Sequence, residues 1–193
     1  FAGLAEMTDH EAGRLIDTLK QLGRFDNTLI FYVVGDNGAS AEGGANGRAN
    51  ENTYFNGVPE TVADQLKVID QLGGPMTYNH YASGWAFAGD APFSWTKQVA
   101  SDFGGTRNGL VVSWPGHLGT PGLRTQFHHV IDIAPTMLEA AGLPAPVSVD
   151  GVKQMPIDGI SMEYSFADPK AADRRTEQYF EIFGNRALYQ DGW

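Results

Sequence analysis

Asp36-Asn37-Gly38 places a carboxylate and a side-chain amide directly after the apolar run Thr28–Val34. Open α/β sheets put ligands at the carboxyl ends of such strands. Oxygen donors of this kind suit a hard cation such as Ca²⁺ or Mg²⁺. The same triplet is also ordinary turn chemistry, with Gly supplying positive φ. Lys97 stands between Trp95 and Phe103-Gly104-Gly105-Thr106-Arg107, where an ammonium point charge suits an oxyanion. Arg107 suits an anion or an active-site carboxylate, although a surface ion pair is the commoner fate of an arginine. His80, flanked by Tyr78, Tyr81 and Trp85, fits the wall of a substrate cleft and fits a packed loop almost as well. His128-His129, with Asp132 four residues after His128, suggest zinc, but zinc takes three or four protein ligands and the sequence has no second His cluster. The structural reading is preferred there, with one histidine bonded to a buried group.

The elements that must position these residues follow from periodicity. Leu4, Met7, Leu15, Ile16, Leu19 and Leu22 predict a helix, with Thr8 and Glu11 at capping-box separation and Gly23 as its stop. Thr28–Val34 predicts a strand covered on both faces in a parallel sheet. Residues 36–57 form a Gly/Asn/Ala/Ser loop too long for a tight connection. Helices are expected over Glu60–Leu72, over Trp95–Phe103 and from Pro135 to Ala141, the last stopped by Gly142. A second apolar strand covers Leu110–Trp114 and ends at Pro115-Gly116. Ala145–Asp158 reads as an irregular link, and Thr176–Phe183 and Arg186–Tyr189 as strands joined at Gly184-Asn185.

At 193 residues the chain corresponds to about one domain, or a large piece of one. It is long enough to bury a core without disulfide or metal staples. With no cysteine there is no disulfide, thiol catalysis or thiolate metal site. The formal net charge of −10 argues against nucleic acid, whose binders present a basic stripe. No apolar run is long enough for a membrane span, and no targeting segment is apparent. The sequence begins without Met and ends on Asp191-Gly192-Trp193, a hairpin turn signal with no strand after it, so both ends read as cut.

Taken together, several segments resemble the carboxyl-terminal half of a type I, formylglycine-dependent arylsulfatase of the large bacterial kind. They are Thr28 to Gly38, Gly43-Gly44-Ala45-Asn46-Gly47, Phe55-Asn56-Gly57, Leu72-Gly73-Gly74-Pro75, Thr77 to Tyr81, Trp95-Thr96-Lys97-Gln98, Phe103 to Arg107, Trp114-Pro115-Gly116, Gln126 to His129 and Asp132 to Thr136. Matched in order along essentially the whole chain, they are far more specific than Asp-Asn-Gly alone.

The resemblance implies an alkaline-phosphatase-like α/β fold with a mainly parallel sheet flanked by helices. Residues 1–145 would form part of its core, and 146–193 a linker and the start of the carboxyl-terminal strands. It implies hydrolysis of a sulfate monoester, either a small molecule or a sulfated carbohydrate, to an alcohol or phenol plus inorganic sulfate. The nucleophile would be the hydrated aldehyde of a formylglycine made from Cys or Ser in a Cys/Ser-x-Pro-x-Arg motif. By the same resemblance Asp36 and Asn37 are ligands of a Ca²⁺ or Mg²⁺ ion, with Asn37 also close to sulfate, and Lys97 contacts the sulfate and neutralises charge at the bridging oxygen. His80 and Arg107 lie in matched segments, as substrate-binding candidates. Asp132–Thr136 corresponds to a scaffold motif.

The nucleophile motif is absent from these 193 residues: Ser113-Trp114-Pro115-Gly116-His117 has His where Arg is required. The amino-terminal aspartate pair of the metal site is absent as well. The chain alone is therefore expected to be inactive and its parent active, in the bacterial periplasm, outside the cell or in the cytoplasm. Rival readings are a phosphatase or phosphodiesterase of the same superfamily and a non-catalytic pseudo-sulfatase binding module.

Overall fold

The computed structural model describes residues 1–35, 37–119 and 121–193. The chain divides into two compact units, one built from Phe1–Gly13, Tyr32–Val111 and Tyr179–Ala187, the other from Arg14–Phe31, Val112–Gln178 and Leu188–Trp193. Helix α1 spans Ala2–Gln21. Gly23, at φ +63°, ends it as expected. Thr8 is not its cap. Its hydroxyl donates to the Leu4 carbonyl 2.9 Å away in mid-helix, the i−4 alternative open to a helical threonine.

Strands β1 (Ile30–Val34) and β2 (Gly109–Ser113) pair as a two-stranded sheet, and so do β3 (Ser148–Val149) with β4 (Val152–Lys153) and β5 (Glu177–Ile182) with β6 (Asn185–Gln190). A mainly parallel sheet is not shown among the described residues. Nor is β1 covered on both faces: Tyr32, Val33 and Val34 are exposed. The predicted helix over 60–72 is shorter than expected, comprising α3 (Val62–Lys67), capped by Thr61 in a capping box with Asp64, and a 3₁₀ turn at Ile69–Gln71. A short helix, α2 (Asn52–Phe55), lies within the expected 36–57 loop, and α4 (Ser83–Asp90) covers residues to which no helix or strand was assigned. The link over 145–158 contains the β3–β4 hairpin. Residues 95–102 are not helical, and α5 is confined to Phe103–Thr106. No helix among the described residues is long and apolar enough to cross a membrane.

In the second unit a polar network is buried beside Met162 and Phe166. Helix α6 (Ile133–Ala140) follows a 3₁₀ turn at Val130–Asp132. Asp132 and Thr136, four residues apart and fully buried, lie on one helical face. Arg175 brings two nitrogens to the Asp132 carboxylate, while the amides of Ile160 and His129 donate to it at 2.8 and 2.9 Å. The Thr136 hydroxyl donates to the Asp132 carbonyl and accepts from the Met162 amide at 2.8 Å. Burial alone would raise the Asp132 carboxyl, but the bonds from Arg175, Ile160 and His129 outweigh it and hold the group below its ordinary 3.8. Burial holds His128 below 6.5 against the pull of Asp132 and Asp173, and burial with the Arg175 charge does the same to His129.

Two predictions follow from this network. Asp132→Ala strands a buried guanidinium, so denaturant unfolding should show a loss of about 3–5 kcal/mol, whereas Thr136→Val, which leaves one buried amide without an acceptor, should cost about 1–3 kcal/mol. All three depressed groups make the folded state bind fewer protons than the unfolded state, so stability rises with pH. The histidine contribution should be intact above pH 6.5 and fall away below it, with that of Asp132 lost below 3.8. A thermal midpoint that stayed constant or rose on acidification below 6.5 would contradict this assignment.

Candidate functional site

Asn37 and Lys97, sixty residues apart in sequence, are brought to one place by a close backbone approach. Gly38 has φ +90°, and a Cβ on it would lie 2.0 Å from the Gly104 carbonyl oxygen and 2.8 Å from the Lys97 amide nitrogen. A Cβ on Gly104 would lie 1.9 Å from the Trp95 carbonyl oxygen. Both positions therefore exclude any side chain. The Lys97 amide donates to the Ala39 carbonyl at 3.0 Å. The remaining amides of the turn are held by side chains: Gly38 by Asn108 at 3.3 Å, Ala39 by Asp90 at 3.0 Å and Ser40 by the Tyr81 hydroxyl at 2.9 Å. Asn37 is half-buried, and its Oδ1 is shielded from solvent. As a hard oxygen donor it fits a Ca²⁺ or Mg²⁺ ion. Asp36, the other metal candidate, lies outside the described residues.

The segment carrying Lys97 departs from the predicted helix for an identifiable reason. Trp95 and Gln98 adopt left-handed φ values of 66° and 74°, which a right-handed helix cannot propagate. Thr96 and Ala100 in the same segment are buried. The Lys97 ammonium lies 3.8 Å from Glu42 Oε2, with the two side chains 30% and 14% exposed. Glu42 also accepts from Ser40 Oγ at 2.7 Å and from Gln98 Nε2 at 2.8 Å.

His80 joins this cluster through Ser40. Its Nε2 is 2.8 Å from Ser40 Oγ and 3.9 Å from Glu51 Oε1. Its Nδ1 is 2.8 Å from the Tyr81 carbonyl, which can only accept, and therefore donates to it. Glu42, Glu51 and His80 offer ligand atoms that all lie within 4.8 Å of one another. Glu42 and Glu51 were not singled out from sequence, and their one legible signal is that they are carboxylates in a stretch otherwise rich in Gly, Ala and Asn. Arg107 packs its guanidinium over the Phe93 ring, 4.9 Å from the centroid. His128 and His129 take the structural role preferred from sequence: His129 Nδ1 accepts from the Ile131 amide, and His128 Nδ1 lies 4.0 Å from Asp132.

Comparison with known proteins gives this geometry a family. The chain is 28% identical over 177 residues to the arylsulfatase of Klebsiella aerogenes, an alignment covering 92% of this chain and 36% of that protein. It is 28% identical over 195 residues to an uncharacterised sulfatase of Schizosaccharomyces pombe, covering 97% of this chain and 33% of the relative. It is 25% identical over 155 residues to the N-acetylgalactosamine-6-sulfatase of Mus musculus, covering 77% and 21%. The chain thus spans about a third or less of the length of these relatives. The sulfatase family model matches residues 1–143, a span that contains the Asn37 turn, the Lys97 loop and the Glu42–His80 cluster, and by that match the chain belongs to the sulfatase family, with the alkaline-phosphatase-like α/β fold that membership implies.

Proposed function

We propose that this chain supplies one side of the active site of an arylsulfatase that hydrolyses sulfate monoesters of phenols or sulfated carbohydrates. The observation that carries the reading is the hydrogen bond from the Lys97 amide to the Ala39 carbonyl, which seats the Lys97 backbone beside the turn that carries Asn37 in a member of a sulfatase family. Lys97 would bind the sulfate group and neutralise charge developing at the bridging oxygen as the alcohol departs. Asn37, with Asp36, would hold a Ca²⁺ or Mg²⁺ ion. Such an ion supplies charge stabilisation and positioning of the sulfate oxygens.

By this reading the formylglycine nucleophile comes from sequence outside residues 1–193. Ser113-Trp114-Pro115-Gly116-His117, whose Ser113 closes β2, makes a turn in which the Trp114 and His117 rings stack at 4.0 Å and the Gly116 amide donates to the Asp26 carbonyl. The loops over 46–57 and 79–85 would face the organic part of the substrate. They are laced together by paired backbone hydrogen bonds between Arg48 and His80.

In the complete protein, aryl sulfate should be cleaved well and aryl phosphate poorly, with activity lost on chelation. Lys97→Met should lower kcat/KM for aryl sulfate by about 10²–10³-fold. Residues 1–193 alone should hydrolyse neither ester. A complete protein that cleaves aryl phosphate and not aryl sulfate would replace this reading with a phosphatase, and one that binds sulfate esters without turnover would replace it with a binding module.

A further inference from the structure

We propose that Glu42 is the positioning residue for Lys97, fixing the direction in which its ammonium meets an anionic substrate. The inference rests on the reading of Lys97 as the sulfate-binding cation and goes beyond it by assigning the group that aims it. Both Glu42 oxygens are occupied. Oε1 accepts from Gln98 Nε2 at 2.8 Å, and Oε2 accepts from Ser40 Oγ at 2.7 Å while facing Lys97 Nζ at 3.8 Å.

The mount is rigid on the Ser40 side. The Ser40 amide donates to the Tyr81 hydroxyl, its Oγ meets His80 Nε2, and His80 is anchored through Nδ1 to the Tyr81 carbonyl. On the other side the left-handed Gln98 backbone, at φ 74°, is a conformation that non-glycine residues occupy at a cost. In this case it accompanies two consecutive side chains, Lys97 and Gln98, converging on one carboxylate.

A separation of 3.8 Å is too long for a hydrogen bond. The carboxylate therefore orients the ammonium electrostatically without saturating its three donors, and Lys97 remains 30% exposed. A metal ion held by Glu42, Glu51 and His80 is the weaker reading, because the Glu42 carboxylate is already hydrogen-bonded on both oxygens and neighboured by a cation.

The test is a double-mutant cycle in the complete protein, with kcat/KM for an aryl sulfate and the thermal midpoint measured for Glu42→Gln, Lys97→Met and the pair. Glu42→Gln should lose about tenfold in the native background, since small misplacement of a reacting group is costly, and less than about twofold in the Lys97→Met background. Gln98→Asn, which tolerates the left-handed backbone but falls short of Glu42, should show a smaller loss that likewise vanishes with Lys97→Met. It keeps the test decisive if Glu42→Gln fails to fold. Losses that multiply with Lys97→Met, or a Glu42→Gln enzyme as active as the native one, would overturn the proposal. A Lys97→Met variant that retains full activity would instead overturn the underlying reading of Lys97.

Discussion

The close approach of two backbones at Gly38 and Gly104 is the constraint on which the candidate site depends. A side chain at either position would collide with a carbonyl oxygen about 2 Å away. With only hydrogens there, the turn after β1 and the loop over 95–104 come close enough for Lys97 to bond Ala39 through the main chain. Irregular backbone can be half-buried only if its polar groups find partners. Asn108, Asp90 and Tyr81 provide them for Gly38, Ala39 and Ser40. The loop is thus ordered by hydrogen bonds in place of secondary structure, and Asn37 and Lys97 inherit fixed positions from it.

Charge is managed differently in the two units. In the first, Glu42 stands among Lys97, Gln98 and Ser40 in a partly open setting, where a cation can be held in place and still present donors to a ligand. In the second, Asp132 is fully buried, and Arg175 and two backbone amides compensate it. A buried carboxylate in that state contributes rigidity and is closed to substrate. The two neighbouring histidines, depressed by burial, serve the same structural end.

The apolar surface has a related logic. Helix α1 carries the predicted stripe, yet Leu4, Met7, Leu15 and Leu22 are exposed, as are Tyr32, Val33 and Val34 of β1. Among the described residues the buried hydrophobic side chains are few, Ala86 and Ala100 in the first unit and Met162 and Phe166 in the second. Much of the order therefore rests on hydrogen-bonded loops and on the Asp132 network. Close packing of the kind that makes cores intolerant of cavities plays a smaller part.

Local signals were legible from residue types alone. The stops at Gly23 and Gly142, the strands over 28–34, 110–114, 176–183 and 186–189, and the helix beginning near Pro135 are set by main-chain conformational preference and short-range periodicity, which need no distant partner. Asn37 and Lys97 were singled out through the family resemblance, and the fold brings the backbones of their segments together. Three features were not legible: the left-handed conformations of Trp95 and Gln98, the assembly of Glu42 with Lys97, and the bonding of Arg175 to Asp132 across 43 residues. Each depends on a contact between segments remote in sequence. Tertiary packing decided them, because the cost of a strained backbone or a buried charge can be offset only by a partner that the folded chain brings alongside.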